Sequence, residues 1–278
     1  MQSENVVERG AARAYRAARG AGAMIRAWRA RRRLSQLALA LDAGVSARHL
    51  SFVETGRSRP SAEMLLALAE RLDIPLRARN ELLLAAGYAP RFSETRLSSP
   101  DLASVRSALQ RLLDAHDPYP GVALDRDWNV VLANAAALRL AAALPDSLRG
   151  PPLNMFRASL HPQGFAAMTV NFDDWGRYLL GELERLAVDG PGGSEAALLE
   201  EVMSYPNVRA LRGGRDRPAD REDRLLIPCI LEFAGTRLSL FTTLATFGSP
   251  RDVTLAELTV ELFYPADAAT EAALRGVV

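Results

Sequence analysis

The sequence predicts an α+β protein, with an all-α N-terminal domain of five helices and then an antiparallel sheet covered by helices. Three observations predict it. Short apolar-periodic segments at about 36–43, 47–55, 61–72 and 76–86 follow an Ala- and Arg-rich stretch over 1–33, so the first third reads as helix. Past residue 118 the order changes to two strand-like runs, several helical stretches and three more strand-like runs, which suits an antiparallel sheet with helices on one face. Charge divides at the same place. Residues 1–96 carry 17 Arg against 9 Asp and Glu, a net of +8, while residues 97–278 carry 17 Arg against 24 acidic residues, a net of −7. A basic unit joined to an acidic one is the pattern of a nucleic-acid-binding part attached to a part with another task.

Composition narrows the classes further. Apolar residues make up 49% of the chain and charged ones 24%, the balance of a folded globular protein rather than a disordered one. No apolar run approaches the ~18 residues of a membrane-spanning helix. The Arg-rich start lacks the apolar core of a secretory signal, so a cytoplasmic protein is expected. Cys229 is the single cysteine, which excludes an internal disulfide and a cysteine-cluster metal site.

The helix boundaries of the first domain have local chemistry. Ser35, Ser46 and Ser61 precede the second, third and fourth helices, where a hydroxyl accepts an orphan backbone N–H. Gly44 and Gly56 sit where a left-handed residue ends a helix. Gly87–Pro100, rich in Pro and Ser, reads as the joining segment. The expected division is therefore 1–88, a linker over 89–100, and a second domain over 101–278. In that domain a helix at 101–115 precedes a hairpin of Val122–Leu124 and Trp128–Leu132. Helices at about 134–144, 154–160, 172–187 and 194–203 lead to a polar loop, 212–223. Strands Leu226–Phe233, Arg237–Phe247 and Leu258–Tyr264 follow, the first two joined at Gly235, and a helix at 267–276 closes the chain.

The run from Leu34 to Ser61, with Gln36, Ala40, Gly44, Ser46, Leu50, Glu54, Gly56 and Pro60 at their offsets, resembles the Xre/Cro-type helix-turn-helix family over about residues 22–86. In that arrangement a small Ala40 lets two helices cross, Gly44 turns the chain, and the second helix is presented to the major groove of double-stranded DNA. The resemblance implies that Gln36 positions phosphate and that Ser46, Ala47, Arg48 and Phe52 begin or face outward from the recognition helix. Arg48 then grips guanine bidentately, and Ala47 and Phe52 meet thymine methyls. Arg57 and Arg59 fall in the following loop and meet phosphates. His49 is either an exposed helix residue or a backbone contact. Leu37 and Leu41 stand where the family is usually polar, and either pack under the N-terminal helix or dock the second domain.

Several phrases past residue 118 resemble the C-terminal domain of MmyB-like regulators, a PAS-like fold. They are Tyr119–Val130 with Asn134-Ala135-Ala136, then Leu160–Gly164, Val170-Asn171-Phe172 and Thr246–Leu258. The resemblance implies a fatty-acid-like ligand. Alternating Leu238, Leu240, Thr242 and Leu244, with Leu258, Val260 and Leu262, are candidates for the aliphatic wall of its pocket, or are simply core. Trp128 and Trp175 read as packing, and His161 as a turn residue. No nucleophile motif, Gly-rich phosphate loop or carboxylate metal cluster is present, so no enzyme, metal or cofactor is expected beyond an apolar effector. Two readings stay open. The chain is a ligand-responsive, homodimeric DNA-binding regulator, or a DNA-binding regulator whose second domain only dimerises or docks a partner.

Overall fold

The computed structural model describes residues 20–189, 194–213 and 226–276. The expected helical stretch over 1–19, and the polar loop beyond residue 213, lie outside them. The chain forms two compact units. One comprises the residues up to Thr95 together with Ser249–Ala256, and the other comprises Arg96–Gly248 and the residues from Glu257 onward.

The helices of the first unit are α1 (Ala21–Arg31), α2 (Gln36–Asp42), α3 (Ala47–Glu54), α4 (Ala62–Arg71) and α5 (Leu76–Ala85). The three serine caps form as the sequence indicates. Ser35, Ser46 and Ser61 accept from the backbone N–H of Ala38, His49 and Met64 at 3.0, 3.1 and 3.2 Å. Gly44 turns α2 into α3 at φ +67°, a left-handed backbone that favours glycine. Ile25, Leu39, Ala40, Leu50, Leu68 and Leu83 lie in one buried core. Burial of each large aliphatic side chain contributes roughly 1.5–3 kcal/mol. At Gly22 the backbones of α1 and α3 come so close that a Cβ would stand 1.9 Å from the carbonyl oxygen of Val53.

Ser249–Ala256 returns to this unit from far along the chain. The N–H of Val253 donates to Ser93 O at 2.7 Å, and that of Thr95 donates to the Asp252 carboxylate at 3.0 Å. Within the same unit, Asn80 of α5 accepts from the N–H of Arg91 and Phe92 and donates to Phe92 O. Burial favours the neutral form of Asp252, but hydrogen bonds from Ser93 and Thr95 outweigh it and hold the carboxyl below its ordinary value.

In the second unit α6 (Ala103–Asp114) leads to β1 (Gly121–Leu124) and β2 (Val130–Ala133). Then come α7 (Ala135–Ala141), α8 (Asp146–Arg149), α9 (Met155–Leu160), α10 (Phe172–Asp189), α11 (Ser194–Met203) and α12 (Pro206–Gly213). Strands β3 (Cys229–Phe233), β4 (Thr236–Thr246) and β5 (Thr259–Pro265) follow, with α14 (Ala268–Arg275) at the end; α13 (Val253–Glu257), between β4 and β5 in the sequence, belongs up to Ala256 to the first unit. All strand pairs are antiparallel, in the order β2-β1-β5-β4-β3. Among the described residues no helix is long and apolar enough to cross a membrane.

Three differences from the sequence reading have physical causes. β3 begins at Cys229 instead of Leu226, because Pro228 has no N–H to give the ladder; its carbonyl accepts from Asn171 instead. β2 begins at Val130 because the Asp125 carboxylate accepts the N–H of Asp127 and Asn129, drawing Trp128 into the turn at φ +63°. Helices cover both faces of the sheet, not one: Leu109 and Leu113 of α6 pack against Ala123 and Val260, while α10 lies over the other face.

Candidate DNA interface and ligand cavity

The recognition-helix candidate α3 buries Leu50, Val53 and Glu54 and leaves Arg48 exposed. Four residues apart on a helix, Arg48 and Phe52 lie on one face, and the Arg48 guanidinium sits 5.4 Å from the Phe52 ring centroid. That contact holds a long, flexible cation above an aromatic face, worth roughly 0.5–1 kcal/mol at an exposed site. Arg57 is exposed in the following loop.

A buried ionic network fixes the end of α3. Arg29 of α1 grips the Glu54 carboxylate with two nitrogens at 2.6 and 2.8 Å and also donates to Leu34 O. Gln36 Nε2 donates to the same carboxylate at 2.7 Å. The Glu54 side chain is only 1% exposed. Burial pushes its carboxyl up, but the donors from Arg29 and Gln36 pull harder, and the net direction is down. Three helices are thus tied at one anion.

In the second unit, strand register decides which side chains face the cavity. Leu240 pairs with Pro265, Thr242 with Phe263 and Leu244 with Glu261, so even-numbered residues of β4 share a face with odd-numbered residues of β5. Glu261 also lies opposite Val122 of β1, and Leu240 opposite Cys229 of β3. This face, with α7, α9 and α10 over it, encloses a cavity of about 110 Å³. Val122, Leu138, Phe156, Leu179, Leu240 and Phe263 are representative of its wall, which is almost wholly apolar. Trp128 and Trp175 both line it, and the Trp128 ring tilts against Phe156 at 4.8 Å.

The framework around the cavity is well satisfied. Asn134, buried at the start of α7, accepts from Gly121 and Ala137 and donates to the carbonyls of Leu113 and Tyr119. Arg157 of α9 holds Glu201 of α11 with bonds of 2.7 and 2.6 Å, and Tyr205 donates to the same carboxylate. Inside the cavity wall the picture differs. Glu261 is buried there, and burial pushes its carboxyl up to about 7 against a single hydrogen bond from Thr242. Burial likewise pushes the Cys229 thiol up to about 12, which leaves it unreactive. No group of three metal-ligating side chains comes together among the described residues.

Residues 105–276 match the MmyB-like transcription regulator ligand binding domain, and residues 25–78 match a helix-turn-helix domain. The first match alone spans more than half of the chain. The chain belongs to the MmyB-like transcription regulators. It is a DNA-binding transcription regulator with a ligand-binding domain, and neither matched domain is an enzyme. No curated protein matches it. Among solved structures, the PAS domain from Bordetella pertussis BvgS is similar at 13% identity, over 63% of this chain and 94% of that one, with a TM-score of 0.27.

This MmyB-like chain places the residues singled out in its sequence unevenly. Ser46, Ala47, Arg48, His49 and Phe52 fall together at α3, with Ser46 capping it. Gln36 is turned to Glu54. Arg59 donates to Ala86 O at 3.1 Å and lies over the Tyr88 ring, so it braces the end of α5. Leu37 and Leu41 are 60% and 73% exposed, outside the buried core in which α1 takes part. Of the seven wall candidates only Leu240 lines the cavity. Leu238 lies beside it in the core with Trp175 and Leu274, while Leu258, Val260 and Leu262 pack toward α6 on the opposite face. Trp128, Trp175 and Glu261 are cavity residues that sequence reasoning set aside or passed over.

Proposed function

We propose that this MmyB-like regulator reads a specific DNA sequence with α3 and that its C-terminal unit senses a small apolar ligand with a fatty-acid-like aliphatic body. The observation that carries the reading is the apolar cavity inside the matched ligand-binding domain, in a chain whose other matched domain is a helix-turn-helix. Arg48 reads guanine, Ala47 and Phe52 meet thymine methyls, and Arg57 meets phosphate, with Ser46 and His49 at the backbone end of the helix. Gln36 and Arg59 support the reading helix and the end of α5. The protein acts on DNA in the cytoplasm as a homodimer, because one helix-turn-helix makes few contacts and two-fold dimers read paired half-sites.

Selection of genomic fragments with the purified full chain tests the DNA reading, which requires recovery of a preferred sequence. Solvent extraction of the same protein, followed by mass spectrometry, tests the ligand reading. Recovery of a stoichiometric apolar compound supports it. A clean extract, together with no change in operator affinity on adding aliphatic compounds, sinks it in favour of a second domain that only dimerises or docks a partner.

A further inference from the structure

The cavity has a neighbour. A groove of about 450 Å³ runs along the edge strand β2 and is lined on its outer side by Arg149, Pro151 and Pro152. Val130, Ala133, Leu138, Ala141 and Leu153 line both spaces. Leu138 is 59% exposed although it lines the inner cavity, so that cavity meets solvent beside α7, where the groove lies.

The two spaces carry opposite charges. Glu261 lines the inner cavity, and Arg149 is the one charged side chain among the described residues that line the groove. Local structure fixes Arg149 there. Leu148 is buried with Leu144 and Ala158, which seats α8, and the N–H of Arg149 donates to Pro145 O at 3.1 Å. The guanidinium donates through Nη2 to the carboxylate of Asp146, three residues back, and both side chains are exposed. An ion pair that exposed is weak, so an incoming anion exchanges for Asp146 at little cost. A guanidinium presents five N–H donors in a planar fork that matches a carboxylate.

We infer that Arg149 holds the carboxylate head of the ligand in the groove, while the aliphatic chain passes Leu138 and Leu153 into the cavity. This rests on the ligand-sensing reading above and adds the place of the head and the residue that selects it. Two costs set the direction of entry. A charged head kept in the open groove retains part of its hydration, which the apolar cavity would strip away. The head also stays clear of Glu261, a second acid, and meets the opposite charge at Arg149. One molecule with a charged end and an apolar end thus lies across both spaces.

Decanoate and decanol share a chain and differ in the head. Each is titrated into the full-length protein at about pH 7.5, where a carboxylate is ionised. Tryptophan fluorescence is the readout, since Trp128 and Trp175 line the cavity. In Arg149→Gln the affinity for decanoate should fall about tenfold while that for decanol is unchanged, because only the charged head loses a charge-assisted bond. Arg149→Lys should recover part of the loss, keeping the charge without the fork. Asp146→Asn, which removes the competing carboxylate, should tighten decanoate about twofold. If the pair merely seated α8, Arg149→Gln and Asp146→Asn would weaken both probes alike. That result, or a decanoate affinity unchanged in Arg149→Gln, overturns the inference and leaves an apolar-ligand sensor standing. Failure of both probes to bind the unaltered protein overturns both readings.

Discussion

Arg29 and Glu54, 25 residues apart, meet through two hydrogen bonds of 2.6 and 2.8 Å beneath the helix that carries Arg48. Removing the cation alone leaves a carboxylate stranded in the core. Arg29→Met should therefore destabilise the N-terminal unit by about 3 kcal/mol or more, whereas Arg29→Met with Glu54→Gln should cost less. Urea unfolding followed by far-ultraviolet dichroism measures both. The Glu54 carboxyl lies below its ordinary 4.5 in the folded state, so its contribution is present above that value and lost as pH falls beneath it.

Arg48 and Arg57 should fail differently. Arg48→Ala should relax base preference at one operator position by roughly 1–3 kcal/mol. Arg57→Ala should weaken all sequences alike and reduce the salt slope by about one phosphate contact. Binding isotherms on matched and mismatched duplexes across a salt series distinguish them. A uniform loss from Arg48→Ala would remove it from the reading role.

Gly22 has no room for a methyl group, because the obstacle is the Val53 carbonyl and not a movable side chain. Gly22→Ala should cost about 1–3 kcal/mol by overpacking, despite alanine's better helix propensity. Thermal unfolding of the variant measures this, and a rise in the midpoint would contradict the close crossing.

Glu261 should make the C-terminal unit less stable as pH rises. Its carboxyl titrates at 4.5 when unfolded and at about 7 when folded. Between those values the unfolded chain has released a proton that the folded chain keeps, so stability falls across the window and levels off above it. The difference amounts to roughly 3 kcal/mol. Glu261→Gln should abolish the slope and be the more stable protein above about pH 7, with little difference below about 4.5. Denaturation series followed by tryptophan fluorescence at several pH values read it directly.

Local chemistry was legible in the sequence and long-range chemistry was not. Ser35, Ser46 and Ser61 announce their helices because a cap lies within three residues of the N–H it accepts. Gln36 meets Glu54 across 18 residues and Arg29 meets it across 25, and no spacing rule links them. The sheet shows the same boundary. Alternation along β5 separates Val260 and Leu262 from Glu261 and Phe263, but both faces are covered by helices, so polarity does not say which is inner. The aliphatic set was the natural choice for the cavity, and register gave the position to the acid. Trp128 passed for packing because its inward aim depends on the Asp125 turn.

The return of Ser249–Ala256 to the first unit means that the helix-turn-helix is not a cassette. Asp252 holds Thr95 from 157 positions downstream. An expression fragment that stops after the fifth helix lacks a piece of its own unit. A chimera that exchanges the first 95 residues between two relatives inherits the tether from one parent and its anchor from the other. Recombination within this architecture therefore has two joints to match, one near residue 95 and one in the connection between the fourth and fifth strands.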